Sequence, residues 1–575
     1  MSVEPVRTRR RPWWRAHGLF LLALVAAVAV RVTVMVAYRP VLLFPDSFGY
    51  LRHTIPFRLM WQRPAGYQAL LWPLVHLPHW RYLVPALQHL MGLGLAIACY
   101  AFLVRRGLPR WGATLAVLPL LFDPLQLVLE HYLLSDTLFE LLLVGACLLL
   151  LWHPRPGYWA MALAGLAMAG ATLTRGAGTL IILVFVIALL CLRVGWRRMV
   201  TFLVAAIIPL GVYSVAYHQQ YGSYAITSAG PRFLYARLAT IVRCHPLQLP
   251  SYERPLCPQG PPRDREVINW YIWGHQRAPQ WQVPPPPGMT QLQMVKDYDK
   301  RVVRQQPLVF TRSVITHFAM GFAPSRAVHI GGNPSEHWLF EDHYWVLDRL
   351  IKNGFQPPSA RAGTSSNHAA ATFMTRYRTH LWTPGPLLAL LGLVGLVAAF
   401  GVGRSRWSGD RVAIGLLLGA CLVPLATGAA VSGFSWRYQM PQLPMLPLAG
   451  ALGIAALVRG RAPGRTVDTP LRLLDSTAAA LARLPMPAGL RSGLERGCER
   501  GVVQWLLALL AGVAAGVVSG LVVVRSGWAD PAHCAGGGLV VGVVVTVLLL
   551  VSRAHAARPL PDTAPSSEQP EPAAR

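Results

Sequence analysis

The feature that most constrains this chain is a repeated series of apolar segments, most of them close to the length of a membrane-crossing helix. A hydrocarbon core of ~30 Å takes ~20 helical residues at 1.5 Å each. Segments of this kind are read at 19–38, 83–104, 111–122, 135–151, 158–173, 178–194, 199–216, 383–402, 411–430, 439–458, 502–524 and 537–552. One of them, such as the run Leu141 to Leu151, would fit inside a soluble protein, but twelve in one chain would not. Only 13% of the residues are charged against 54% apolar, about half the charge of a soluble domain. The expected fold class is therefore an all-α polytopic membrane protein of about twelve transmembrane helices.

The net charge of +29 invites a nucleic-acid reading, and the positions of the charges argue against it. A nucleic-acid surface gathers basic and aromatic residues on one soluble face. Here arginines fall in short connections between apolar segments, where they orient a polytopic chain by the positive-inside rule. Arg7, Arg9, Arg10, Arg11 and Arg15 precede the first segment, and Arg105, Arg106 and Arg110 follow the second. Arg193, Arg197 and Arg198, then Arg404, Arg406 and Arg411, then eight arginines from Arg459 to Arg500 mark the same side. The opposite short connections carry none, Arg175, Arg437 and Arg525. This asymmetry predicts a multi-pass protein of the plasma membrane with both termini cytoplasmic and no nucleic-acid partner.

The expected organisation is a basic cytoplasmic stretch (1–18), a first transmembrane module (19–216) with an outer loop at 39–82, and an extracytoplasmic loop domain (217–382). A second set of helices (383–458), a cytoplasmic loop (459–501), an extra helix pair (502–552) and a disordered tail (553–575) complete it. Cys244 and Cys257 lie in the long outer segment, where oxidation is favoured. A disulfide between them is expected to stabilise that segment by about 3 kcal/mol.

Acids are scarce, so their positions inform. Asp46 lies in Pro45-Asp46-Ser47-Phe48-Gly49-Tyr50, either as a helix N-cap or as a surface carboxylate able to take a proton from an acceptor hydroxyl. Glu130 and His131 precede Ser135-Asp136, which reads as the start of a span. Capping accounts for Asp136 but not for Glu130, so Glu130 is the expected second active-site acid. Arg52 and Arg63 share the first outer loop with Asp46, and Arg175 and Arg437-Tyr438 lie on the same membrane side. Guanidinium forks suit phosphate. Arg31, about two turns inside the first span, has to pair or snorkel. His329, His337 and His343, with Glu336, Glu341 and Asp342, show no compact zinc-ligand spacing. No metal ligand is assigned, and a divalent ion is left open.

At these residues the chain resembles the GT-C superfamily of polyprenyl-phosphate-dependent glycosyltransferases, close to the protein-mannosyltransferase and aminoarabinose-transferase branch. Four stretches carry the likeness in order: Pro45–Tyr50, Arg63-Pro64-Ala65-Gly66-Tyr67, Leu134-Ser135-Asp136-Thr137-Leu138-Phe139 and Arg437-Tyr438-Gln439-Met440-Pro441-Gln442-Leu443-Pro444. Leu173-Thr174-Arg175-Gly176 is a weaker fifth. The resemblance covers roughly residues 19–458. It implies an inverting transfer in which Asp46 activates the acceptor and the polyprenyl phosphate leaves into a basic pocket around Arg437. Glu130 is expected as the second catalytic group. Arg63, Arg52, Tyr50, Arg175, His131 and Tyr438 are expected around the substrate. The implied partners are a polyprenyl-phosphate-sugar donor, an acceptor glycan, lipid or protein, and membrane lipids. Ser47 stands where part of the family has a second acid, which argues against protein O-mannosylation. A carrier or flippase for a lipid-linked or small solute is the competing reading, since its topology would look the same.

Overall fold

The structure, a computed structural model, describes residues 16–274, 277–326, 338–342 and 365–459. Its helices are α1 Gly18–Ala37, α2 Pro45–Thr54, α3 Gly66–Leu74, α4 Trp80–Arg105, α5 Arg110–Phe122, α6 Pro124–His131, α7 Asp136–Leu151, α8 Tyr158–Thr174, α9 Gly178–Cys191 and α10 Trp196–Tyr221. They continue as α11 Ala229–Ala239, α12 Ile268–Trp273, α13 Pro279–Gln282, α14 Gln291–Gln305, α15 Pro307–Ala319, α16 His368–His380, α17 Gly385–Ala399, α18 Arg411–Val431 and α19 Gln442–Arg459. The two strands, β1 Tyr38–Arg39 and β2 Ser365–Ser366, form one short antiparallel pair.

Helices stand at all ten apolar segments expected before residue 460, though not every one is of full spanning length. Among the described residues, five helices have the length and apolarity to cross a membrane: α1, α4, α10, α18, and α19 with its preceding turn. Two bent pairs, α5 with α6 (47°) and α16 with α17 (49°), raise this to seven if each pair is one span. The bends have local causes. Asp123 precedes Pro124, so it adopts an extended ψ of 127° and ends α5. The same carboxylate then caps α6 by accepting from the Leu125 N–H at 2.8 Å. Residues 1–15, the connection 460–501, the extra pair 502–524 and 537–552, and the tail lie outside the described residues, as do His329, Glu336, His337 and His343.

The spanning character shows on the surface as well. Leu22, Val25 and Val32 on α1, and Val204, Ile207, Ile208 and Val212 on α10, are exposed. Faces this apolar belong in lipid rather than water. The helices between them enclose one large core, whereas residues 235–302 build a second around Tyr235, Leu238, Ile268, Tyr271, Met294, Val295 and Tyr298. Cys244 and Cys257 are joined in a disulfide at the edge of this small lobe, with their Cα atoms 6.0 Å apart.

Candidate active site

Two short helices in the first loop bring the acids and arginines together. Pro45 opens α2, where its fixed φ and missing N–H cost nothing. Ser47 Oγ accepts from the Phe44 N–H at 3.0 Å and donates to the Leu133 carbonyl at 2.9 Å. Leu42, just before α2, bridges to the chain after α6: its N–H donates to His131 O at 3.2 Å and its carbonyl accepts from the Leu133 N–H at 3.0 Å. The Pro45–Tyr50 stretch is thereby fastened to Leu134-Ser135-Asp136. Tyr50 adds a bond to Ser135 Oγ at 3.1 Å.

Gly66 explains why two further stretches meet. A Cβ at this position would lie 2.6 Å from the Leu173 carbonyl oxygen, so only glycine lets the start of α3 approach the end of α8. Arg63, just before α3, and Arg175, just after α8, are thus brought to the same end of the bundle.

The result is a continuous chain of ion pairs. Arg63 Nη2 holds Asp46 Oδ1 at 2.6 Å, and Arg437 Nη1 holds Asp46 Oδ2 at 2.9 Å. Arg437 turns its Nε and Nη2 onto the two oxygens of Asp136, at 3.1 and 2.5 Å. Arg175 pairs with Asp136 Oδ1 from the far side. Three guanidiniums against two carboxylates leave one net positive charge. The side chain of Asp136 is 1% exposed, whereas Arg63 and Arg175, at the two ends, are 18% and 19% exposed. Aromatic rings flank the cations: Tyr50 lies 5.7 Å from Arg63, Tyr438 5.3 Å from Arg175 and Trp338 5.3 Å from Arg437. Burial alone would raise the Asp46 carboxyl, but Arg63 and Arg437 outweigh it and hold Asp46 below the ordinary carboxylate range.

The structure redistributes the expected roles. Asp46 is not an N-cap, because Phe44 occupies that position and both Asp46 oxygens face guanidiniums. Asp136, expected only as a cap, is the second acid of the ion chain. Glu130 and His131 are not in the chain. Glu130 is fully buried and receives a two-pronged contact from Arg31, Nε to Oε2 and Nη2 to Oε1, both at 2.9 Å. His89 Nδ1 lies 2.8 Å from the same Oε2, and His89 Nε2 3.2 Å from His131 Nδ1. His131 Nε2 ends the series on the Tyr38 carbonyl at 2.6 Å. Arg31 therefore pairs rather than snorkels. Arg52 is exposed on α2 and stands outside the ion chain. A third pair, Arg326 on Asp123 at 2.8 and 3.0 Å, reaches on to Gln439 Oε1. Sequence reading missed Arg326; its only signal was the position of Asp123 before a proline.

The arrangement can hold an anion. Arg437 spends all three nitrogens on carboxylates, but Arg63 and Arg175 each give one nitrogen to the chain and have four further N–H groups. Among the described residues, no group of three or more His, Cys, Asp or Glu side chains is placed to hold a metal ion.

No protein-family model matches the chain, and no curated protein matches it. Among solved structures it is similar to the oligosaccharyltransferase AglB of Archaeoglobus fulgidus, in complex with an inhibitory peptide and a dolichol-phosphate. That likeness has 14% identity and a TM-score of 0.35 over 88% of this chain and 56% of the other. The chain thus spans a little over half the length of that protein. It is also similar to ArnT of Cupriavidus metallidurans bound to undecaprenyl phosphate, with 15% identity and a TM-score of 0.29 over 86% of this chain and 88% of the other. With identity and TM-score this low, the functional reading rests on the site itself.

Proposed function

We propose that this protein is a membrane glycosyltransferase that moves a sugar from a polyprenyl-phosphate carrier to an acceptor hydroxyl at the extracytoplasmic membrane surface. The observation that carries the reading is the ion chain Arg63–Asp46–Arg437–Asp136–Arg175, an ionised carboxylate set among guanidiniums at one end of a helical bundle. The ordered stretches that resemble the GT-C superfamily are the stretches that build it. The Cys244–Cys257 disulfide supports an oxidising compartment for the lobe on that side.

In the proposed reaction the acceptor oxygen attacks the anomeric carbon as the carbon–oxygen bond to phosphate breaks, so the configuration inverts. The bonding electrons leave with the polyprenyl phosphate, whose developing charge is met by Arg63 and Arg175. The acceptor proton passes to Asp46 Oδ1, which Arg63 releases as it turns to the phosphate. Phosphate is a stable leaving group, so the protein has mainly to position reactants and stabilise charge. Asp136 keeps Arg437 aligned.

The test is transfer by the full chain in proteoliposomes carrying radiolabelled polyprenyl-phosphate sugars. Labelled product with free polyprenyl phosphate supports the proposal. Sugar-lipid crossing the bilayer without product would instead make the protein a carrier.

A further inference from the structure

Arg437 follows a turn whose shape is set by residues of α11, α12 and α15. Helix α18 ends at Val431, and Gly433 then takes φ +76°, a left-handed conformation natural to glycine. A Cβ there would lie 2.7 Å from Ile268 Cδ1 and 3.4 Å from the His317 ring, so the turn is packed tightly between α12 and α15. The next residue, Phe434, is buried and donates its N–H to His317 Nδ1 at 2.8 Å. Acceptance at Nδ1 needs a neutral imidazole. Burial first, and the neighbouring Arg237 second, push His317 down to about 3, which keeps it neutral.

Arg237 is the second anomaly. It is 1% exposed and has no carboxylate partner among the described residues. It donates to Ser313 Oγ and, at 3.3 Å, to the carbonyl of Ala429 in the last turn of α18. A buried guanidinium is costly, and the partial negative charge at a helix C-terminus offsets part of that cost. The cation thus pins the end of α18 from which the turn departs.

We propose that His317 and Arg237 are positioning residues for Arg437, holding the Ser432–Ser435 turn so that the guanidinium reaches Asp46 and Asp136 together. The effect on ligand binding rests on the glycosyltransferase reading; the effect on Arg437 itself does not.

Two readouts on the full chain in nanodiscs separate the claims. Phenylglyoxal labelling, located by mass spectrometry, reports how tightly Arg437 is held. His317→Leu should speed labelling of Arg437 by about tenfold, the equivalent of one lost hydrogen bond, with Arg31, held by Glu130 away from this turn, unchanged as an internal control. His317→Asn, whose side-chain oxygen can accept from Phe434, should restore the wild-type rate. Affinity for undecaprenyl phosphate should fall and recover in parallel, and His317→Leu should add nothing in an Arg437→Ala background. Equal Arg437 labelling in wild type and His317→Leu, or failure of Asn to rescue, would overturn the positioning role. Absence of undecaprenyl phosphate binding by the wild type would overturn the phosphate reading, while the labelling would still decide the role of His317.

Discussion

At the scale of the residue, Asp46 owes its charge to its neighbours. Burial opposes ionisation, and Arg63 and Arg437 reverse that opposition. Because the folded-state pKa is depressed, the stabilisation from Asp46 is present above the ordinary carboxylate pKa and is lost as pH falls through the depressed value. The rate profile should therefore keep its acid limb below the usual carboxylate range of about 3.9. Arg63→Met removes one of the two lowering charges and leaves the desolvation, so the limb should move upward. An acid limb in the same place in both proteins would show that Asp46 does not govern the rate.

Glu130 shows how far residue-level reading of the sequence reached. Its position before a helix start marks it as unexplained by capping, and the structure sets it against Arg31 and His89 rather than in the ion chain around Asp46. The cause of its placement is Arg31, ninety-nine positions away, which no local pattern connects to it. Gly92 records how close the fit is, because a Cβ there would overlap Glu130 Oε1 at 1.8 Å. Asp136 is the opposite case. A capping explanation sufficed locally, and the two arginines that claim its oxygens come from after α8 and before α19.

At the scale of the element, the Arg31–Glu130 pair acts as a rivet between α1 and α6. Glu130→Gln would strand a guanidinium that is 3% exposed, at a cost of about 3–5 kcal/mol. A large fall in thermal stability is the expected result. A catalytic acid would instead lose activity with stability unchanged, and measuring melting temperature and turnover on one preparation separates the two.

Helix α14 carries a different liability. Asp299 is buried in the small lobe with neither oxygen hydrogen-bonded among the described residues, and burial raises its carboxyl well above the ordinary value. A raised folded-state pKa means that stability is fullest below the unfolded value and is lost as pH rises through the folded one. Asp299→Asn does not titrate, so its advantage in melting temperature should be largest at alkaline pH and shrink toward acid pH. A constant difference across pH would mean that the carboxyl has a partner after all.

At the scale of the whole molecule, apolar segments and ordered arginines made the membrane character and the helix positions legible. The span count was less legible because length and bending are tertiary properties. Helices α8 and α9 have 17 and 14 residues, and 14 residues rise only about 21 Å. The segment at 111–122 belongs to a bent pair whose second half, α6, lies between two of the expected apolar segments. The small lobe was legible as a long insertion with a cysteine pair, but its reach through Arg237 and Ile268 to the end of α18 and the turn before Arg437 was not. Such contacts join residues far apart in sequence and leave no periodic trace.

These scales meet in one claim: that Asp46, fixed between two guanidiniums, handles the acceptor of a sugar leaving a polyprenyl phosphate. The most direct measurement is the release of free polyprenyl phosphate by reconstituted wild type and Asp46→Asn, supplied with the same sugar-lipid and acceptor. The account predicts a loss of at least about a hundredfold in the variant, the lower end for removing a proton-accepting group, with the melting temperature held within a few degrees. Equal release by the two proteins would contradict it.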